Sequence, residues 1–180
     1  GYEGILGYRT QNDIDIAADD PRRPAFDANR QAEIEAVKPI IQRLKDTGWT
    51  FGSHTWGHIN LDSSKVDLDW VKRDTVRWAE EVGSLVGPTN ILFYPHGARP
   101  DGDDWHQTGP KLQYLQSQGF RIFASVGVNS FSYIKDDLSA VICDRLHPDG
   151  TTLRYGGHHY TQFYDVRDIM DTVHRPDYGN

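Results

Sequence analysis

A single cysteine, Cys143, occurs among the 180 residues. An internal disulfide and a metal site built on several thiolates are both excluded. No apolar run approaches the roughly 18 residues that a membrane-spanning helix needs. Positive charge is also short: 19 Lys and Arg stand against 26 Asp and Glu, a formal net charge of -7. Nucleic acid is therefore not an expected partner, because phosphate binding draws on a basic patch. No repeat of fixed period, no low-complexity segment and no signal peptide is visible, and the first residue is Gly1 rather than Met.

What is present describes one folded domain. Hydrophobic residues make up 37% and charged residues 25%, and the length suffices for a sizeable core. Aromatic residues reach 12%, with five Trp and nine Tyr. Such side chains fill cores, and their flat faces also suit sugar rings.

A rhythm of helix, turn and strand runs along the chain. Ile34, Val37, Ile40, Ile41 and Leu44 fall at helical spacing, and Thr47-Gly48 closes that run. Pro39 within it predicts a kink or a shifted helix start. Trp49–Phe51 reads as a strand. Val71, Thr75, Trp78, Val82 and Leu85 keep one helical face, stopped by Gly87-Pro88. Ile91–Tyr94 reads as a buried strand stopped by Pro95 and Gly97, Lys111–Gln118 as a helix, and Arg121–Ser125 and Val141–Cys143 as strands. Asp168–Val173 reads as a last short helix, and Ile5–Tyr8 as an early strand. This alternation predicts an α/β fold with a parallel sheet, either open and doubly wound or a barrel. Such folds place ligands at the C-terminal ends of their strands. Two helices end in Gly-aromatic and run into strands, Gly48-Trp49 and Gly119-Phe120. The opening Gly1-Tyr2 repeats that punctuation, so a strand and a helix are expected upstream of Gly1.

The chemistry concentrates in Gly52-Ser53-His54-Thr55-Trp56-Gly57-His58. Histidines at i and i+4 share one face of a helix, about 5–6 Å apart at Cβ. Two imidazoles so placed can reach one metal, and a catalytic zinc needs a third protein ligand and an open position. The plain alternative is a pair of histidines at the edge of the core.

His54, Thr55 and His58 match the H-[ST]-x-x-H motif, and the segment resembles the zinc-binding loop of polysaccharide deacetylases, the NodB-homology carbohydrate esterases. Phe93-Tyr94-Pro95-His96-Gly97 is similar to the R-x-P-x-G loop of that family, and Lys111–Ala124 to its following helix-to-strand step. The likeness spans about Gly4 to Asp149. It implies a distorted or incomplete (β/α) barrel, here without its first strand and helix, forming one domain over residues 1–180. It implies zinc or a related divalent ion on His54 and His58, with the third ligand upstream of Gly1. It implies removal of acetyl groups from peptidoglycan-like or chitin-like polymers, outside the cell or at the cell wall of a bacterium. Tyr94, Pro95, His96 and Trp56 become candidate substrate contacts, and a backbone N–H near Tyr94–His96 the candidate oxyanion donor. His147, in Leu146-His147, is the candidate general acid, with His96, His158 and His159 as rivals.

This sequence also departs from the family. The T-F-D-D-G motif, with its base and ligand aspartates, is absent, and Asp19-Asp20 follows the early strand rather than preceding it. Phe93 stands where the motif has arginine. Leu146-His147 lacks the spacer of L-x-H. Asp103-Asp104-Trp105 comes before the Lys111 helix and reads as an insertion loop. Cys143 reads as core. The 180-residue chain alone is therefore expected to bind metal weakly and to be nearly inactive, with deacetylation belonging to the intact parent. One alternative is a non-catalytic relative that binds carbohydrate through Trp56, Tyr94 and Trp105. Another is an unrelated metallohydrolase that uses the histidine pair with Asp13, Asp15 or Asp19.

Overall fold

The computed structural model describes residues 16–102, 109–127, 132–135, 139–146, 149–150, 161–165, 168, 171 and 174. The early strand, Asp13, Asp15, the Asp103–Trp105 segment, His147, His158, His159 and most of the last predicted helix lie outside them.

Helix α1 spans Arg23–Asp46 and so begins well before the predicted apolar stripe. It runs through Pro39 without ending. Proline removes the bond to the Glu35 carbonyl, but Glu35 and Pro39 are both exposed, so water can satisfy that oxygen. Helix α2 spans Leu68–Trp78 and is capped by the Asp67 side chain, which accepts the Trp70 N–H. It continues through a π-helical segment, Ala79–Gly83, and a last α turn, Ser84–Val86. Gly87 (φ 84°) then turns the chain in a conformation that glycine adopts without strain.

Strand β1 (Ile91–Phe93) is followed by a 3-10 turn (Pro95–Gly97), helix α3 (Pro110–Ser117), and strands β2 (Ile122–Val126), β3 (Ser132–Ile134) and β4 (Val141–Arg145). The sheet order is β1-β2-β4-β3. β1, β2 and β4 run parallel, and β3 pairs with β4 antiparallel. The predicted parallel sheet is thus a mixed one, and it does not close on itself among the described residues. The predicted strand at Trp49–Phe51 does not form either. Trp49 is 66% exposed, and only Ser53 bridges to Leu92. Two hydrogen bonds secure that bridge, Ser53 N–H to Ile91 O at 2.9 Å and Phe93 N–H to Ser53 O at 2.8 Å.

Register explains the core. Leu92, Phe123 and Ile142 stand in one row across β1, β2 and β4, and all three are fully buried. Leu112 and Leu115 of α3 and Val71 and Trp78 of α2 belong to the same cluster. Each such side chain contributes about 1.5–3 kcal/mol when fully buried. The next row, Phe93, Ala124 and Cys143, faces the other side of the sheet. Among the described residues, no helix is long and apolar enough to cross a membrane.

Candidate metal centre

Ser53 is buried beside Leu92, so strand alternation sends His54 toward the opposite face, next to Phe93. From His54 to His58 the chain is a loop, not the helical turn that the spacing suggests. Thr55 (φ 60°) and His58 (φ 51°) both occupy the left-handed region, which a β-branched residue rarely enters. Side-chain acceptors hold the loop in place. The Thr55 N–H donates to Ser53 Oγ at 3.2 Å, and the Ile59 N–H to Thr55 Oγ1 at 3.2 Å. The Trp56 and Gly57 N–H groups donate to Asp74 Oδ1 and Oδ2 at 2.9 and 2.7 Å.

This loop still brings the two rings together, with centroids 4.9 Å apart. His96, in the turn after β1, lies 4.5 Å from His58 by the same measure. His96 (φ 58°) is left-handed as well. Three non-glycine residues in this conformation meet at one place, as happens where a surrounding structure enforces a functional geometry.

His54 Nδ1 donates to the Phe93 carbonyl at 2.8 Å. That bond fixes the tautomer and leaves the lone pair on Nε2, the arrangement in which a metal-binding histidine is held from behind. Burial pushes the His54 imidazolium below the usual histidine range. The Phe93 carbonyl opposes the shift, while Arg145 and His96 add to it. Burial likewise lowers His58, and His54, His96 and Arg145 reinforce it by charge. The guanidinium of Arg145, at the end of β4, lies 6.0 Å from the Phe93 ring. Both histidines are thus neutral near pH 7, as a ligand must be.

The lowered values carry a stability consequence. A histidine that resists protonation when folded stabilises the fold above its ordinary value of 6.5 and loses that contribution as pH falls through its folded value. Metal-free protein is therefore expected to lose stability progressively below about pH 6.5, and a His54→Gln/His58→Gln variant to show a shallower decline. Denaturant unfolding at several pH values checks this, and parallel curves for the two proteins would contradict it.

Of the four candidate substrate contacts, the structure leaves His96 exposed and buries the rest. Tyr94 is fully buried and stacks on Phe123 with centroids 6.1 Å apart. Pro95 is buried too, and Trp56 is 7% exposed. The candidate oxyanion donors narrow by elimination. The Tyr94 N–H is used by Ala124 O at 2.9 Å, and proline has none. The His96 N–H remains. Asp144 does not stand alone, because its carboxylate lies 3.5 Å from Arg99 Nη2 with both side chains largely buried.

Sequence reasoning missed Asp74 and Glu81. Asp74 occupies the buried stripe of α2 between Val71 and Trp78. A carboxylate among apolar stripe positions was the available signal. Glu81 lies in the π-helical segment, accepts the Trp56 indole N–H at 3.0 Å, and pairs with Arg30 of α1. Nothing in the local sequence announces that segment.

As the side chains stand, no three His, Cys, Asp or Glu groups among the described residues close around an ion. The His54–His58 pair offers two neutral imidazoles, one with its tautomer fixed, and that donor chemistry fits zinc. No family model matches the chain, and no curated protein or solved structure matches it either.

Proposed function

We propose that the intact protein is a metal-dependent deacetylase of N-acetylated polysaccharide, built on a barrel-like domain of the NodB-homology type. His54 and His58 bind zinc or a related divalent ion. The observation that carries this reading is the bond from His54 Nδ1 to the Phe93 carbonyl, in a pair whose rings meet at 4.9 Å. When bound, the ion supplies Lewis-acid polarisation of an acyl carbonyl and a lowered pKa for water. The His96 N–H is the donor available to an acyl oxygen that gains negative charge, a role worth roughly 3 kcal/mol in acyl transfer. Asp74 is committed to the loop amides and Asp144 faces Arg99, so neither supports a role as general base. His147 remains the candidate acid for the leaving amine. An extracellular or cell-wall setting goes with such a substrate.

The burial of Trp56 and Tyr94 weighs against the alternative of a non-catalytic carbohydrate-binding domain, since neither ring offers its face to a sugar. Acetate release from N-acetylglucosamine oligomers by the metal-loaded parent protein tests the proposal. The expected result is chelator-sensitive release that His54→Ala lowers by on the order of 100-fold or more. Oligomer binding with no release would favour the non-catalytic reading. Release that survives both chelator and His54→Ala would overturn the metal assignment.

A further inference from the structure

The family likeness puts the third metal ligand upstream of Gly1, but the structure places a third imidazole beside the pair. We propose that His96 is that ligand, so that His54, His58 and His96 form a three-histidine metal site contained within these residues. The inference rests on the proposed metal role of His54 and His58.

Geometry supports it. With nitrogens about 2.0–2.1 Å from a tetrahedral zinc, ring centres of two histidine ligands stand about 5 Å apart. The observed separations are 4.9 Å for His54–His58 and 4.5 Å for His58–His96. His96 approaches from β1 through the turn at Pro95–Gly97, whereas the pair comes from the loop after Ser53, so the ligands belong to two neighbouring segments joined by the Ser53–Leu92 bridge. The β1 end also anchors the first ligand, through the Phe93 carbonyl on His54 Nδ1. Residues 93 to 96 thus hold one ligand from behind and supply another.

The present His96 ring is turned away from a closed site. Its Nε2 lies 3.3 Å from the His58 carbonyl, a long contact. The side chain is exposed, so rotation about its own χ angles can bring a nitrogen toward the other two without moving the core. The site requires that rotation, since no three such groups close around an ion as the side chains stand among the described residues. Among the described residues, the carboxylates of Asp74 and Asp144 are engaged elsewhere. Asp74 is held by the Trp56 and Gly57 amides, and Asp144 lies against Arg99.

Cobalt(II) titration of the 180-residue chain, read by visible absorption, tests the proposal. His96→Asn is the principal variant, because asparagine tolerates the left-handed backbone that His96 adopts. His96→Asp tolerates it equally and restores an oxygen ligand. Wild-type protein is expected to bind one cobalt with the intense bands of four-coordinate geometry. His96→Asn is expected to weaken binding by well over about 100-fold, beyond the range for losing an outer-sphere partner, and to lose those bands. His96→Asp is expected to recover part of both. A readout that needs no variant is the ring nitrogen resonances of the wild-type chain, where zinc is expected to shift three histidines. Equal affinity and bands in His96→Asn, with only two rings shifting, would overturn the His96 assignment and leave the pair standing. No specific cobalt binding by wild type would overturn a three-histidine site contained within these residues.

Discussion

Alanine at position 74 is expected to lower the stability of the chain by about 2–4 kcal/mol, because two N–H groups lose their acceptor in a largely buried place. The Asp74 carboxylate receives the Trp56 N–H at 2.9 Å and the Gly57 N–H at 2.7 Å, one on each oxygen. Nothing in an alanine side chain replaces either bond. For a domain of this size the loss corresponds to a fall in Tm of about 5–15 °C. Burial holds the Asp74 carboxyl above its usual range, and the two amides only partly oppose that. The ionised form is therefore costly to keep, and Asp74→Asn is expected to fall between wild type and Asp74→Ala: it removes the charge but turns an amide N–H2 toward one of the donors. The same substitution frees the loop between His54 and His58, so metal affinity is expected to drop with stability. Thermal unfolding checks the first effect. A change in stability within 0.5 kcal/mol, the range of ordinary surface substitutions, would contradict it.

Trp56→Ala is expected to cost about 3–5 kcal/mol, as for other buried large aromatic residues. Trp56 is 7% exposed, its indole N–H donates to Glu81 Oε2 at 3.0 Å, and the Arg77 guanidinium lies 4.1 Å above its ring. The Arg77 side chain is 39% exposed, so the cation over the ring adds only about 0.5–1 kcal/mol to the burial term. Glu81 also pairs with Arg30, so the ring ties the His54–His58 loop to α1 and to the π-helical segment after α2. Trp56→Phe keeps most of the apolar surface and loses the donor; its expected cost, about 1 kcal/mol, isolates the hydrogen bond to Glu81. Denaturant unfolding of the two variants separates packing from polar anchoring. A Trp56→Ala cost below about 1 kcal/mol would fit an exposed sugar platform rather than this buried anchor.

Both substitutions act on residues that the sequence reveals unequally. Trp56 stands between two histidines and invites attention, and packing under the loop is where it belongs. Asp74 looks like one more polar residue of an amphipathic helix until its place between Val71 and Trp78 is seen to face inward. The major elements were legible because periodicity and glycine punctuation agree: Gly87 closes the α2 segment, and Gly119 (φ 98°) leads into β2. Trp49–Phe51 misled because apolar composition alone does not make a strand; the bridge to β1 forms only at Ser53, just beyond that run. β3 was not foreseen, since an antiparallel edge of three residues leaves little pattern. The HxxxH spacing predicted a helical turn, and the structure has none there. A loop with two left-handed residues, not a helix, brings the rings together, and left-handed Thr and His cannot be read from residue type. His96 was noticed as a departure from a motif, but its proximity to His58 depends on how β1 ends beside Ser53.

The central claim is that His54 and His58 hold a metal ion. Calorimetric titration of zinc into the 180-residue chain, alongside His54→Ala at the same pH, tests it most directly. The account predicts one ion per chain in the wild type and affinity at least about 100-fold weaker in the variant, since removing a ligand exceeds the effect of removing its outer-sphere support. Equal zinc binding by the wild type and His54→Ala would contradict it.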